Sequence, residues 1–325
     1  MMQSALLHTQ NLRIGYKHHV VQDDLSLSLQ AGELVCMLGK NGCGKSTLLR
    51  TLAGLQAPLG GQIYMQGQES NNISTRQRAQ LFSLVLTDRV ENSNMTVWDV
   101  VSLGRFPHNN WLGQLSENDK TLVNDAIRKV KLEGKKNAYI HCLSDGERQR
   151  VMIARALAQD TPLILMDEPT AHLDLPNRVD TMLLLRELAH ATHKTILLST
   201  HELDLALQTA DKIWLMSPQT GIITGIPEDL VLEGAFQKAF EANSFIFNPA
   251  NGNFSVSYET NKPLHIYGDR TRTYWTVRAL ARMGYAGVEV AENSVEILPD
   301  GWRLNHDTFC SSIEELSEKL DSIFG

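Results

Sequence analysis

The sequence predicts an α/β protein with a mixed, mostly parallel sheet at its core and a small α/β appendix behind it. Three observations predict this. Continuous apolar runs of strand length, Leu34–Leu38, Leu163–Met166 and Thr195–Ser199, are each bounded by glycine, acidic or polar residues. Helical patterns alternate with these runs, first through Leu48, Leu49 and Leu52 and later over Val179–His190. A new strand and helix pattern restarts near Lys262, after loop-like composition at Asn248–Gly252. Strands that are apolar on both sides belong to a sheet covered on both faces, which is the parallel, doubly wound arrangement. Such sheets bind ligands at the carboxyl ends of their strands.

Taken in order, Ala5–Leu29 alternates in polarity and is expected to form antiparallel strands. Leu34–Leu38 is a buried strand that runs into a glycine-rich turn and a helix. Leu81–Leu86 is a further strand. Asn118–Val130 is a polar helix suited to a surface subdomain, and Arg148–Gln159 is a second helix there. In the appendix, Leu264–Tyr267 is expected as a strand, Thr273–Met283 as a helix, Val288–Ala291 and Val295–Leu298 as strands, and Ser311–Ile323 as a helix. That content suffices for a separate small unit. The expected division is residues 1–257, with a helical subdomain at about 88–160, and residues 258–325. Neither an internal repeat nor a low-complexity tract is found.

The 325 residues carry a formal net charge of −7, which offers no broad basic surface for nucleic acid. Cys36, Cys43, Cys142 and Cys310 make no CxxC pair, so neither a zinc site nor a disulfide framework is expected. Met1–Gln10 lacks the charged leader and apolar run of a signal peptide. All apolar runs fall far short of the ~20 residues of a membrane span.

The strongest motif is Gly39-Lys40-Asn41-Gly42-Cys43-Gly44-Lys45-Ser46. It fits G-x-x-x-x-G-K-[ST] and sits between a strand and a helix, as the chemistry requires. Glycines let the backbone curl so that successive N–H groups face phosphate oxygens, and the helix start adds partial positive charge. Lys45 brings a full charge to the β- and γ-phosphates, and the Ser46 hydroxyl suits Mg²⁺. Asp167 and Glu168 close the strand Leu163–Met166. Beside a phosphate loop, Asp167 suits the magnesium shell and Glu168 suits a base that orients water. His201 follows Thr195–Thr200 and is either a helix-start histidine or a hydrogen-bond donor to the γ-phosphate. Leu143-Ser144-Asp145-Gly146-Glu147 reads equally as a capping box, Ser144 with Glu147, or as an anion site at a helix start.

In order and spacing, these pieces resemble the ATP-binding cassette family over roughly residues 5–257. Leu143–Glu147 is similar to the family's signature motif, with Asp145 and Glu147 where glycine and glutamine are commoner. Leu163–Glu168 resembles Walker B with its catalytic glutamate, Ala171-His172-Leu173-Asp174 the D-loop, and His201 the switch histidine. Tyr16 matches the aromatic that stacks on adenine. The resemblance implies ATP and Mg²⁺ as ligands. It implies Lys45, Glu168 and His201 as catalytic residues. Gly39, Asn41, Gly42, Cys43, Gly44, Ser46 and Thr47 would form the phosphate cradle, and Ser46 and Asp167 would face the metal. It further implies a head-to-tail dimer in which Ser144, Gly146 and Asp174 serve the partner's nucleotide. One departure stands out: Thr87 occupies the position of the family's Q-loop glutamine, with a shorter reach toward a metal-bound water.

Met95–Val101 and Gly104-Arg105-Phe106-Pro107, together with Thr170–Asp174, resemble the importers of iron-siderophore, heme and cobalamin. That likeness implies an ATPase that couples ATP binding and hydrolysis to uptake through a separate permease. It would sit peripherally on the cytoplasmic face of the inner (plasma) membrane and be served indirectly by a substrate-binding protein. A different expectation is a soluble cassette protein acting on ribosomes or DNA. One phosphate loop, no extended heptads and the acidic balance weigh against it, and no nucleic-acid partner is expected. For the appendix, regulation and dimer stabilisation both stand open. Its Gly268-Asp269-Arg270 reads as a simple turn or a ligand loop.

Overall fold

The computed structural model describes residues 5–17, 19–86, 94–108, 114–218, 220–240, 245–249 and 252–324. The chain divides into a larger unit, Met1–Glu241 with Phe247–Asn253, and a smaller one, Ala242–Ile246 with Phe254–Gly325.

The larger unit is built on a six-stranded sheet. Its order is Gly221–Gly225, Lys212–Ser217, Leu34–Gly39, Thr195–Ser199, Leu163–Asp167 and Phe82–Val85. All neighbours are parallel except the first pair. The three strands with the longest apolar runs are buried at every position. This is why their sequences do not alternate: both faces are covered. Met37 and Asp167 both pair with Ser199, so the carboxyl ends of these three central strands finish at one level.

The amino-terminal strands form a separate antiparallel sheet in the order His19–Leu25, Leu7–Tyr16, Gly60–Met65 and Gln68–Glu69. The helices Val97–Ser102, Glu117–Lys129 and Asp145–Ala158 make the helical part. A buried ion pair braces it. Arg105 Nε meets Asp119 Oδ1 at 2.8 Å, and Arg105 Nη1 donates to the Ala158 carbonyl at 2.8 Å. Asp119 also receives the Ser116 hydroxyl, the largest influence holding its carboxyl below the usual range. Removing either charge would strand the other in an apolar setting.

In the smaller unit the strand order is Tyr285–Val288, Lys262–Tyr267, Ser294–Ile297, Trp302–Leu304 and Thr308–Cys310. The first three are parallel and the last two antiparallel. The helices Arg270–Ala281 and Ile313–Phe324 cover one face, where Leu280, Leu316 and Leu320 meet Leu264, Val295 and Leu304.

One expected strand is misplaced. The chain is extended over Tyr285–Val288, not Val288–Ala291. Tyr285 drives this: its ring is buried and its hydroxyl donates to the Leu320 carbonyl at 3.3 Å, whereas Val290 is 87% exposed. The poor strand formers Ala286 and Gly287 hid the real strand. The short hairpin Trp302–Leu304 with Thr308–Cys310 is additional to the expected elements. Among the described residues, no helix is long and apolar enough to cross a membrane.

Candidate functional site

The loop after Leu34–Gly39 turns directly into the helix Lys45–Leu52. Gly44 stands at the helix start and no side chain caps it. Its φ of 108° is a conformation that favours glycine, and a Cβ there would fall 2.5 Å from Val21 Cγ1. Lys45 is buried, and its ammonium donates to the Gly39 carbonyl at 2.8 Å and the Lys40 carbonyl at 3.4 Å. The charged group is therefore drawn back over the loop. Asn41 and Gly42 are exposed at its tip, while Cys43 is buried, and burial pushes its thiol above the ordinary range.

Gln22, which the sequence reading did not single out, pins this loop. Its buried amide donates to the carbonyls of Cys43 and Ser217, each at 3.2 Å. Tyr16 ends its strand half exposed, its hydroxyl 3.2 Å from Thr47 Oγ1. An open aromatic face thus lies next to the first turn of the helix.

Across the sheet, the acidic strand end meets the loop. Ser46 Oγ donates to Asp167 Oδ1 at 3.1 Å. Ser199 Oγ donates to the same oxygen at 2.7 Å and accepts the Glu168 amide at 3.0 Å. Ser199 is a second residue missed from sequence. Its signal was available: a buried serine at the end of an otherwise apolar strand, level with Asp167. Glu168 adopts a left-handed backbone, φ 49°, unusual for a residue with a side chain. Its Oε1 lies 2.7 Å from His201 Nε2. The fold thus brings Tyr16, Lys45, Ser46, Thr47, Asp167, Glu168 and His201 to one end of the sheet.

Ser46 Oγ and Asp167 Oδ1 are hard oxygen donors of the kind Mg²⁺ takes. Among the described residues no cluster of three or more His, Cys, Asp or Glu could hold a metal unaided. Ser46 and Asp167 would therefore supply two oxygen ligands to such a metal and leave the rest of its shell to other groups. Thr87 lies outside the described residues.

Ser144, Gly146 and Asp174 make a second group. Ser144 is exposed at the start of Asp145–Ala158 and closes a full capping box: its Oγ accepts the Glu147 amide at 3.3 Å, and Glu147 Oε2 accepts the Ser144 amide at 3.1 Å. The other Glu147 oxygen is paired with Lys135, whose hydrogen bond is the main cause of a lowered Glu147 pKa. Asp174 caps the helix Leu175–Thr192 and fixes Asn177, accepting its amide N–H at 3.1 Å and its side-chain Nδ2 at 2.6 Å. A Cβ at Gly146 would fall 2.8 Å from Asn177 Oδ1. Glycine lets these two helix starts approach, which joins the three residues through Asn177.

Comparison with known proteins identifies the family. The family described as ABC transporter matches residues 22–171, and the Iron ABC transporter C-terminal domain matches residues 261–321. The chain is 36% identical to the uncharacterized ABC transporter ATP-binding protein MJ0873 of Methanocaldococcus jannaschii, over 80% of this chain and 88% of that protein. It is 37% identical to the petrobactin import ATP-binding protein FpuD of Bacillus anthracis, over 74% and 87% respectively. Among solved structures it resembles a dimeric post-hydrolysis state of the cassette MJ0796 bound to ADP and phosphate. The TM-score is 0.59 at 26% identity, covering 68% of this chain and 98% of that one.

Proposed function

The chain belongs to the ABC transporter family of ATPases, and we propose that it is the ATP-hydrolysing subunit of an importer for an iron complex. The observation that carries this reading is the meeting, at one end of the sheet, of Lys45, the Ser46–Asp167 hydrogen bond and the Glu168–His201 contact.

The phosphates of ATP are received by the loop Gly39, Asn41, Gly42, Cys43, Gly44 and by Lys45, Ser46 and Thr47. The Lys45 ammonium exchanges the loop carbonyls for phosphate oxygens, a stronger, charge-assisted pairing. The adenine lies against Tyr16. Ser46 and Asp167 would hold Mg²⁺, which supplies charge neutralisation on the phosphates when bound. Ser199 keeps the Asp167 carboxylate aimed and fixes the Glu168 backbone. Glu168 orients the attacking water and draws its proton, and His201, whose Nε2 meets that carboxylate before nucleotide arrives, turns its N–H to the γ-phosphate once ATP is seated.

Two copies pair head to tail, so that Ser144, Gly146 and Asp174 of one chain complete the nucleotide site of the other. Likeness to a dimeric ADP-bound cassette supports this arrangement. A separate permease receives the closing motion, and a substrate-binding protein delivers cargo to it. That permease holds the chain peripherally at the cytoplasmic face of the membrane. The cargo class rests on the iron-related carboxyl-terminal domain and on a relative that serves petrobactin import.

The direct test is Glu168→Gln. ATP affinity measured by calorimetry stays within about threefold, while phosphate release with the permease present falls by about 10²–10⁴-fold. Wild-type turnover in that variant would remove Glu168 from its role. Iron-chelate uptake by cells lacking this chain tests the cargo: unimpaired uptake would redirect the assignment.

A further inference from the structure

The two helices of the smaller unit carry opposite charge side by side. Arg270–Ala281 buries Thr276 and Leu280. Its outward positions are Arg270, Tyr274 and Arg278, with Arg282 just beyond, a four-residue spacing that keeps them near one face. Tyr274 and Trp275 are 54% and 53% exposed, and the Arg278 guanidinium lies 5.4 Å from the Trp275 ring. No acidic residue occurs from Arg270 to Val288. The neighbouring helix Ile313–Phe324 buries Leu316 and Leu320 in the same core and turns Glu314, Glu318 and Asp321 outward, with Lys319 the single exposed base among them. Among the described residues none of these outward arginines or acids takes part in an ion pair.

We propose that this is a self-complementary surface for a second copy of the chain, with Arg270–Ala281 of each copy docking on Ile313–Phe324 of the other. A two-fold pairing requires that a patch and its complement lie on the same molecule, and adjacent basic and acidic helices satisfy that. Exposed tryptophan, tyrosine and arginine are the residues that anchor protein interfaces. An anionic bilayer or a nucleic acid fits less well. Either would meet the acidic helix as it met the basic one, and like charge would repel it.

The surface is modest. Two helices of 12 residues extend about 18 Å each and are about 10 Å wide, so the pairing covers roughly 700 Å² in all, below the ~1,200 Å² of stable complexes and in the range of weak, transient contacts. Free chains therefore associate weakly. The inference goes beyond the ATP-driven pairing proposed above, because this contact needs no nucleotide.

The test is sedimentation velocity on the nucleotide-free full chain, between about 1 and 200 µM and at about 50 and 500 mM salt. A concentration-dependent dimer, weaker at high salt, is expected. Arg270→Glu/Arg278→Glu/Arg282→Glu and, separately, Glu314→Arg/Glu318→Arg/Asp321→Arg should each sediment as monomers. Mixing the two should restore a dimer, which misfolded variants would not do. Tyr274→Ser/Trp275→Ser weakens association at least about tenfold. Lys45→Ala still associates, so loss of nucleotide binding and loss of this contact are scored apart. A chain that stays monomeric throughout, or reversed variants that ignore one another, overturns the proposal. So does binding to phosphatidylglycerol vesicles or to RNA that the arginine reversals abolish.

Discussion

Two loops in this protein lead into helices with small residues and a hydroxyl, yet they are built on opposite plans. The phosphate loop starts its helix at Gly44 with no side-chain cap, and its cation, Lys45, lies on its own carbonyls. The loop at Leu143–Gly146 starts its helix at Ser144 with every local partner supplied: Ser144 and Glu147 cap each other, and Lys135 holds Glu147. A helix start whose N–H groups lack protein acceptors is a site for an anion, and one that caps itself is first a stable helix. The first loop carries its ligand chemistry within one chain. The second acts on a nucleotide only if a partner presents one to the exposed Ser144 hydroxyl.

The comparison breaks most sharply at Lys45. Lys45→Ala is expected to abolish measurable heat of ATP association and lower turnover by about 10³-fold. Ser144→Ala should leave ATP affinity of the isolated chain within about twofold. Substitution at Ser144 then separates its two roles. Ser144→Ala costs about 1 kcal/mol of stability through the lost cap. Ser144→Asp keeps the cap and hence the melting temperature, but in the proposed head-to-tail pairing it sets a negative charge against the partner's phosphates. Phosphate release should fall at least about tenfold in the Asp variant, and full activity there would confine Ser144 to capping.

A smaller effect concerns pH. Because Lys135 holds Glu147 below the usual carboxylate range, that carboxylate adds stability at pH above its unfolded value of about 4.3. The contribution fades as pH falls through the lower folded value. Denaturant unfolding from pH 7 to 3 should therefore show a shallower acid loss in Lys135→Ala than in the wild type. Equal slopes would mean the ion pair is not held in solution. The mildest probe uses the thiols, since each loop has one nearby. Cys43 is buried with its ionisation suppressed, whereas Cys142 is exposed. Iodoacetamide at neutral pH should modify Cys142 first, read by mass spectrometry, and ATP should not change that order.

Much of the candidate site was legible because its signals are local. Glycine positions, a lysine and a hydroxyl in eight consecutive residues define the phosphate loop, and a strand ending in two acids marks the opposite wall. Ser199 and Gln22 were not legible in the same way. Each acts through partners far along the chain: Ser199 reaches Asp167 across adjacent strands, and Gln22 bonds to Cys43 and Ser217. The appendix strand at Tyr285–Val288 escaped for a related reason. Its weak propensity at Ala286 and Gly287 is overruled by burial of Tyr285 beneath a helix some thirty residues on.

By itself, the sequence determined that this chain has a parallel sheet with a phosphate loop, because backbone conformation and apolar periodicity are written in neighbouring residues. It also determined the charge on each helix of the appendix. Only the tertiary structure decided that Asp167 meets Ser46 and Ser199, that Glu168 meets His201, and that the basic and acidic helices lie on one face. Those are contacts between segments distant along the chain, fixed by strand order and by what the core buries.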